Sequence, residues 1–214
     1  MSDLSEKENL NRKTLWAAVI ISGLLFLFFL VNVLFQGPFF ALDMWVSQHV
    51  SSLQNPALSK MVIFLTDING IKGSLIISVL FLSYLLYTKQ RSEAGFYLFA
   101  FAGASALFAG LKLWVERGRP LLKIVNEQGL SFPSGHSTTA MTMALAFYMI
   151  VKMDDTGKHR ILLLFCVSWA ILIAATRIYL NVHWLSDTLA GLSLGVFWVS
   201  LLRLLYPYAQ TRVK

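Results

Sequence analysis

The chain has 214 residues, of which 57% are apolar and only 14% carry a charge, and its mean hydropathy is +0.64. This composition excludes an ordinary soluble domain and predicts an integral membrane protein. The formal net charge of +7 does not indicate a nucleic-acid-binding protein, because the basic residues are scattered at the ends of apolar runs. Cys166 is the single cysteine, so an intrachain disulfide is excluded.

The apolar runs predict an all-α fold, a bundle of six transmembrane helices. The first run is too long for the hydrophobic part of a signal peptide, and no small-residue cleavage site follows it. Residues 41–59 mix apolar and polar side chains at spacings of three and four, which predicts an amphipathic helix at the membrane interface between the first two spans. The predicted spans cover residues 15–35, 61–87, 94–111, 136–152, 161–180 and 188–205.

We expect one membrane domain, residues 15–206, between a cytoplasmic N-terminal segment, residues 1–14, and a cytoplasmic tail, residues 207–214. Both termini then lie on one side, and the positive-inside rule assigns that side to the cytoplasm. Its basic residues are Lys7, Arg12, Lys13, Lys89, Arg91, Lys152, Lys158, Arg160, Arg203, Arg212 and Lys214. The opposite side carries Lys60, Lys112, Arg117, Arg119 and Lys123. This positive charge breaks the rule locally and favours a functional explanation.

Two charged residues, Asp67 and Lys72, lie within the second predicted span. A charge at mid-bilayer costs about 2.5–3.5 kcal/mol, so both should face the protein interior or lie near the outer interface. Two interpretations stay open for them. They line a substrate cleft, or they form a structural ion pair with each other.

The first motif whose residues could take part in a reaction lies at the end of the third predicted span, where Lys112 and Arg119 are followed by Pro120. The proline biases Arg119 away from helical backbone geometry, so the helix should end near this point and present the guanidinium. Taken alone, the two cations could also be side chains that reach from a helix end to the membrane interface.

The second motif, residues 133–137, has the sequence Pro-Ser-Gly-His-Ser and starts the fourth predicted span. Ser134 can cap the helix, and Gly135 lets a ligand approach the backbone N–H groups that form an anion site at a helix start. His136 would then lie beside the bound anion, ready to donate a proton. An ordinary capping turn is the alternative.

The third motif, residues 177–187, places Arg177, His183 and Asp187 in an otherwise apolar region. If the segment from His183 onward is helical, His183 and Asp187 share one helix face, and the carboxylate can fix the imidazole tautomer. An oriented histidine next to a fixed cation indicates phosphate chemistry, although a structural His–Asp pair is a common alternative.

The three motifs together resemble the signature of the type 2 phosphatidic acid phosphatase (PAP2) superfamily. The matching stretches are Lys-x6-Arg-Pro at residues 112–120, Pro-Ser-Gly-His at residues 133–136 and Ser-Arg-x5-His-x3-Asp at residues 176–187. Thr176 replaces the usual serine but keeps the hydroxyl, so a hydrogen bond to phosphate should survive. Soluble vanadium haloperoxidases share the signature but lack the predicted spans.

The resemblance implies a role for each matching residue. His183 attacks phosphorus and forms a phosphohistidine, Asp187 orients the ring, and His136 protonates the leaving oxygen. The groups that neutralise the phosphoryl oxygens are Lys112, Arg119, Arg177, Ser134 and the Gly135 backbone. Because three fixed cations serve the phosphate, we expect no metal ion and no cofactor. Lys60, Arg117 and Lys123 lie outside the signature, and mild effects are expected from their substitution.

The expected function is metal-independent dephosphorylation of a membrane lipid phosphate or diphosphate at the extracytoplasmic face of the cell membrane. The compact bacterial members of the superfamily suggest phosphatidylglycerophosphate, undecaprenyl diphosphate or phosphatidate as substrates. The alternatives are a lipid-to-lipid phosphotransferase of the same superfamily and, from another class, a small transporter or channel. The expected partners are the lipid substrate and the bilayer, with no nucleic acid, and no oligomeric state is predicted.

Overall fold

The computed structural model describes residues 2–206, with side chains from residue 12 onward. Within this part the chain forms eight α-helices and no strand, which confirms the all-helical prediction. The helices are α1 (Ser2–Leu34), α2 (Phe39–Leu53), α3 (Pro56–Ile68), α4 (Ile71–Tyr87), α5 (Arg91–Val115), α6 (Gly135–Ile150), α7 (Thr156–Tyr179) and α8 (Leu185–Leu205). The predicted tail with Arg212 and Lys214, and the Lys7 side chain, lie outside the described residues.

Within the described residues, four helices are long and apolar enough to cross a membrane: residues 12–34 of α1, and α5, α7 and α8. Helices α3 and α4 provide a fifth span if the bent pair is counted as one. Helix α6 has 16 residues, about 24 Å at 1.5 Å per residue, which is shorter than the ~30 Å hydrocarbon core. The chain is thus a multi-pass membrane protein, and the sixth span stays a prediction.

Two predicted helices have different bounds in the structure. The helix predicted over residues 41–59 ends at Leu53, because Pro56 starts α3 with the side chain of Asn55 as its cap (Leu58 N to Asn55 Oδ1, 2.9 Å). The prediction over residues 61–87 is wrong only in its continuity, because the chain breaks between α3 and α4 and bends by 42°, so that the two helices can form one span only as a broken one.

The break at Asn69 and Gly70 has a tertiary cause. Asn69 is buried, and its side-chain amide donates to the His136 carbonyl (3.0 Å) and the Thr139 hydroxyl (3.2 Å) of α6. Gly70 has extended backbone geometry and precedes the first residue of α4. The hydrogen bonds of Asn69 therefore link the second predicted span to the start of α6, where the Pro-Ser-Gly-His motif lies.

Helix α6 packs against α8 through two glycines that are four residues apart. A Cβ atom on Gly191 would lie 2.7 Å from the Ser134 carbonyl oxygen, and one on Gly195 would lie 2.8 Å from the Met141 Cβ. Small residues let two membrane helices approach closely. As a result the first turns of α6 and α8 meet, and the Ser134 amide donates to the Asp187 carbonyl (3.0 Å).

Candidate active site

The three sequence motifs converge on one cavity of about 530 Å³. The end of α5, the long loop that follows it, the start of α6 and the α7–α8 loop supply its polar wall. The sequence-predicted site residues that line the cavity are Lys112, Arg119, Gly135, His136 and His183. The remaining wall is formed by α4 and α5, where Leu75, Phe101 and Phe108 contribute apolar surface.

His183 lies in the α7–α8 loop with 3% of its surface exposed. Arg119 Nη1–H donates to His183 Nε2 (3.2 Å), and the ring Nδ1 faces Asp187 Oδ2 (3.4 Å). These partners assign the proton to Nδ1 and the lone pair to Nε2. Burial lowers the pKa of His183 well below 6.5, and the nearby charges of Arg177 and Arg119 lower it further. A neutral imidazole therefore presents Nε2 at the cavity.

The contact between His183 and Asp187 does not arise from a shared helix face, as the spacing predicted. Helix α8 begins at Leu185, so His183 precedes it. Asp187 lies in the first turn, where its Oδ2 accepts the Trp184 amide (3.0 Å) in a capping interaction. The same carboxylate oxygen then reaches the histidine ring, so the helix cap and the His–Asp contact share one atom.

Lys112 and Arg119 are held by backbone carbonyl groups around the cavity. Lys112 Nζ donates to the carbonyls of Leu130 (2.6 Å) and Ser131 (3.3 Å). Arg119 donates from Nε to the Gly129 carbonyl (3.0 Å) and from Nη1 to the Val182 carbonyl (2.8 Å). These carbonyl groups fix the positions of both side chains at the cavity, which suits them to anion binding.

Arg177 is buried and meets Glu127, a residue to which the sequence analysis gave no role. The Arg177 guanidinium donates to Glu127 Oε2 (2.7 Å) and to the Thr66 hydroxyl (3.0 Å), and Arg119 lies 3.7 Å from Glu127 Oε1. Burial alone would raise the pKa of Glu127, but the two arginines hold it below its ordinary value. An acidic side chain therefore lies between two cations that were predicted to bind phosphate.

Two residues predicted to bind phosphate, Ser134 and Thr176, have hydroxyl groups that form hydrogen bonds within the protein. Ser134 is fully buried and caps α6, where its Oγ accepts from the Ser137 hydroxyl (3.0 Å) and amide (3.4 Å). The Thr176 hydroxyl donates to the Ile173 carbonyl of its own helix (2.6 Å). The hydroxyl proton of Thr176 is therefore already used in this structure, and the expected hydrogen bond to phosphate stays a prediction.

Arg117, set aside with the residues of mild effect, lies next to the site. Its Nη1 donates to Asp187 Oδ1 (2.6 Å) and to the Ser186 hydroxyl (2.7 Å), and its Nη2 donates to Asp43 Oδ2 (2.6 Å). Neither Arg117 nor Asp43 belongs to a motif. Only the unexplained excess of positive charge on this loop pointed to the arginine, and no sequence signal pointed to Asp43.

Asp67 and Lys72, the charged residues of the second predicted span, neither line a substrate cleft nor pair with each other. Asp67 and Lys72 are exposed, and among the described residues they form no ion pair with each other and do not line the cavity. Asn69, between them, does line it. Lys123 is peripheral and donates to the Glu127 carbonyl (2.8 Å). Across residues 12–206, no three His, Cys, Asp or Glu side chains group as metal ligands.

Comparison with known proteins gives the family directly. The PAP2 superfamily profile matches residues 93–211, a stretch that contains all three motifs. The chain belongs to the PAP2 superfamily. This confirms the resemblance seen in the sequence and, at the level of the family, the prediction of a lipid phosphatase enzyme.

Individual relatives agree with this assignment. The chain is 28% identical over 178 residues to phosphatidylglycerophosphatase B of Bacillus subtilis (strain 168), which covers 80% of this chain and 88% of the relative. It is 33% identical over 141 residues to a lipid A 1-phosphatase of Rhizobium johnstonii, which covers 56% and 53%. A crystal structure of a transmembrane PAP2-type phosphatidylglycerolphosphate phosphatase from Bacillus subtilis matches with a TM-score of 0.78 and 26% identity, covering 86% of this chain and 94% of that one.

Proposed function

We propose that this protein removes phosphate from a membrane lipid phosphate or diphosphate through a phosphohistidine intermediate on His183. The observation that carries the proposal is a single cavity with two kinds of wall. Lys112, Arg119 and His136 line it together with His183, and Leu75 of α4 and Phe101 and Phe108 of α5 add an apolar surface. Cations suit a phosphoryl group and the apolar wall suits a lipid chain.

The attack would start from His183 Nε2, the ring nitrogen that faces the cavity. The N–P bond forms as the P–O bond to the lipid breaks, and His136, as the general acid, passes a proton to the leaving oxygen. Asp187 balances the charge that the imidazole gains. Water then attacks phosphorus, His136 takes back a proton, and inorganic phosphate leaves with His183 regenerated.

The fixed cations of the chain would stabilise the charge on the phosphoryl oxygens. Lys112 and Arg119 line the cavity, whereas Arg177 approaches it from behind Glu127. Gly135 offers its backbone at the start of α6. This set supports a metal-independent reaction, in which protein side chains take the charge-neutralising part. Ser134 supports the site through its cap of α6.

We propose that the site faces the extracytoplasmic side and that α6 completes six spans, with α2 at the interface. Thr14, Lys152, Arg160 and Ser200 line a second cavity between the start of the apolar part of α1, the C-terminal parts of α6 and α8 and the start of α7. The basic residues of these helix ends support a cytoplasmic location for that end of the bundle.

The test is phosphate release by detergent-purified protein in excess EDTA, from phosphatidate, phosphatidylglycerophosphate and undecaprenyl diphosphate in parallel. The wild type should release phosphate, and the relative rates rank the substrates. His183→Ala should abolish release. Asp187→Asn should reduce it by about 10⁴-fold, the loss that a His–Asp pair shows when the carboxylate becomes an amide.

The controls separate the mechanism from its alternatives. Near-wild-type activity of either variant would remove the assigned mechanism, and loss of activity in EDTA that added metal restores would contradict metal independence. Phosphate that appears on a second lipid, in place of inorganic phosphate, would identify a phosphotransferase. Trapping the phosphorylated protein with labelled substrate, and its absence in His183→Ala, tests the intermediate directly.

A further inference from the structure

Arg117 and Arg119 are separated by one residue but serve different sides of His183. Arg119 lines the cavity and donates to Nε2, the nitrogen that faces the substrate. Arg117 meets the Asp187 carboxylate, which contacts Nδ1 on the other edge of the ring. Its side chain is 11% exposed and its guanidinium lies over the ring of Trp184 (5.3 Å). Arg117 is therefore placed to act on Asp187 and not on the phosphate.

Both oxygens of the Asp187 carboxylate are engaged. Oδ1 accepts from Arg117, and Oδ2 accepts from the Trp184 amide and faces the histidine ring. The carboxylate is fully buried, so its orientation depends on these partners alone. If Arg117 were removed, Oδ1 would lose its charged donor and the side chain would be free to rotate away from Nδ1.

Asp43 on α2 holds Arg117 from the other side. It is 1% exposed, and its Oδ2 accepts from Arg117 Nη2 (2.6 Å). It also accepts from the amide of Ser186 (2.8 Å) and from the Ser186 hydroxyl, next to Asp187 in the chain. One guanidinium therefore bridges two buried carboxylates, and the second carboxylate also binds the first turn of α8.

Helix α2 contacts the α7–α8 loop at a second point. Asn181, two residues before His183, has a left-handed backbone (φ 55°). Its side chain accepts from the Ser47 hydroxyl (2.8 Å) and donates to the Ser47 carbonyl (3.0 Å). Through Asn181 and Ser186, α2 therefore holds the loop on both sides of the histidine.

We propose that Asp43 and Arg117 form a positioning pair that fixes the Asp187 carboxylate against His183 and so sets the rate of the chemical step. Arg117 supplies the geometry, because its planar fork can reach two carboxylates at once. Asp43 supplies the charge balance. Without it, the guanidinium would draw the negative charge of Asp187 away from the imidazole just when the ring becomes positive. The inference rests on the proposed phosphohistidine mechanism.

The test compares kcat, KM and the inhibition constant of inorganic phosphate in the purified full-length chain. The variants are Arg117→Ala, Arg117→Lys, Asp43→Asn, Arg119→Ala and Arg203→Ala. Arg203 is the matched control, since it is a buried arginine paired with Glu93 (2.8 Å) far from the cavity. All rates are normalised to the folded fraction measured by size-exclusion chromatography.

Arg117→Ala and Asp43→Asn should lower kcat by about 100-fold, the scale of a 1 Å misplacement. The phosphate inhibition constant should stay within about threefold of wild type, because neither side chain lines the cavity. Arg117→Lys should have a higher kcat than Arg117→Ala, since lysine keeps the positive charge but lacks the planar guanidinium that contacts both carboxylates. Arg119→Ala should instead weaken phosphate inhibition. Arg203→Ala should lower thermal stability and leave kcat of the folded protein unchanged.

Near-wild-type kcat in Arg117→Ala would overturn the proposal. Equal loss of phosphate inhibition in the Arg117 and Arg119 variants would also overturn it, because Arg117 would then be a phosphate ligand. A kcat loss matched by Arg203→Ala would reduce the pair to a structural role. If Arg117→Ala does not fold, the Asp43→Asn and Arg117→Lys variants decide the question. Wild-type protein inactive on every substrate would overturn the proposed function, and this inference with it.

Discussion

Substitution of Gly191 by alanine should damage both the fold and the reaction, because α6 leaves no room for a side chain at this position of α8. The added Cβ would lie 2.7 Å from the Ser134 carbonyl oxygen and 3.0 Å from the Ser137 Cβ. Ordinary contacts begin at 3.4 Å, so the helices must separate by roughly 0.7 Å at this point. Overpacking of this kind costs about 1–3 kcal/mol.

The displaced atoms belong to the site itself. Ser134 caps α6 in front of His136, and its amide bonds to the carbonyl of Asp187 on α8. A shift between these helices therefore moves the general acid relative to the nucleophile. We expect kcat to fall about 10- to 100-fold, because a 1 Å misplacement can cost about 100-fold.

Gly110 provides the control. It is an exposed glycine within α5, and a Cβ there would meet nothing within 4 Å. Gly110→Ala should leave activity unchanged and raise stability by about 0.5–1 kcal/mol through helix propensity. The assay is thermal denaturation in detergent together with phosphate release. If the Gly191→Ala variant has the same melting temperature and the same rate of phosphate release as Gly110→Ala, close packing of α6 on α8 does not build the site.

Two further predictions concern ionisation in the cavity. Burial and nearby cations lower the pKa of His183, so the neutral nucleophile should persist below pH 6.5. As the pH is lowered, kcat/KM should therefore not fall until the pH is below 6.5. A fall in kcat/KM that begins above pH 6.5 with every lipid substrate would contradict a neutral His183. Glu127→Gln removes a carboxylate that pairs with Arg177 and Arg119, so phosphate should inhibit the variant at lower concentration than the wild type. Weaker inhibition would instead mean that Glu127 keeps the two arginines in place.

The long helices and the order of the motifs along this chain were predictable because both depend on local sequence. Long apolar runs identify α1, α5, α7 and α8 without any tertiary information. The spacing of Lys112 and Arg119, and that of His183 and Asp187, identified residues that the fold does bring to one place. The prediction failed on the reason for the His–Asp contact, because a helix start and a helix interior produce similar spacings.

The partners of the site were not predictable, because they are distant in sequence and lack a motif. Asp43 and Ser186 are 143 positions apart, and Arg117 and Asp187 are 70 apart. The Arg-Pro motif identified Arg119 as the arginine of the cavity, but nothing in the sequence indicated that Arg117 contacts Asp187. Their different roles follow from the partners that each side chain meets in the folded chain, Asp43 and Asp187 for Arg117 and the cavity for Arg119.

Helix α2 shows the same limit in its amphipathic pattern. Its spacing predicted a helix with an apolar face toward lipid and a polar face toward water. In the structure Asp43 is buried against α8 and Ser47 against the α7–α8 loop. The apolar residues Trp45 and Leu53 are 56% and 67% exposed. The helix is therefore real, but only Asp43 and Ser47 of its polar residues are buried against protein, whereas Gln48 and His49 are exposed. A buried carboxylate is stable there only because Arg117 and Ser186 satisfy it, so the same contacts that bury α2's polar face connect it to Asp187 and His183.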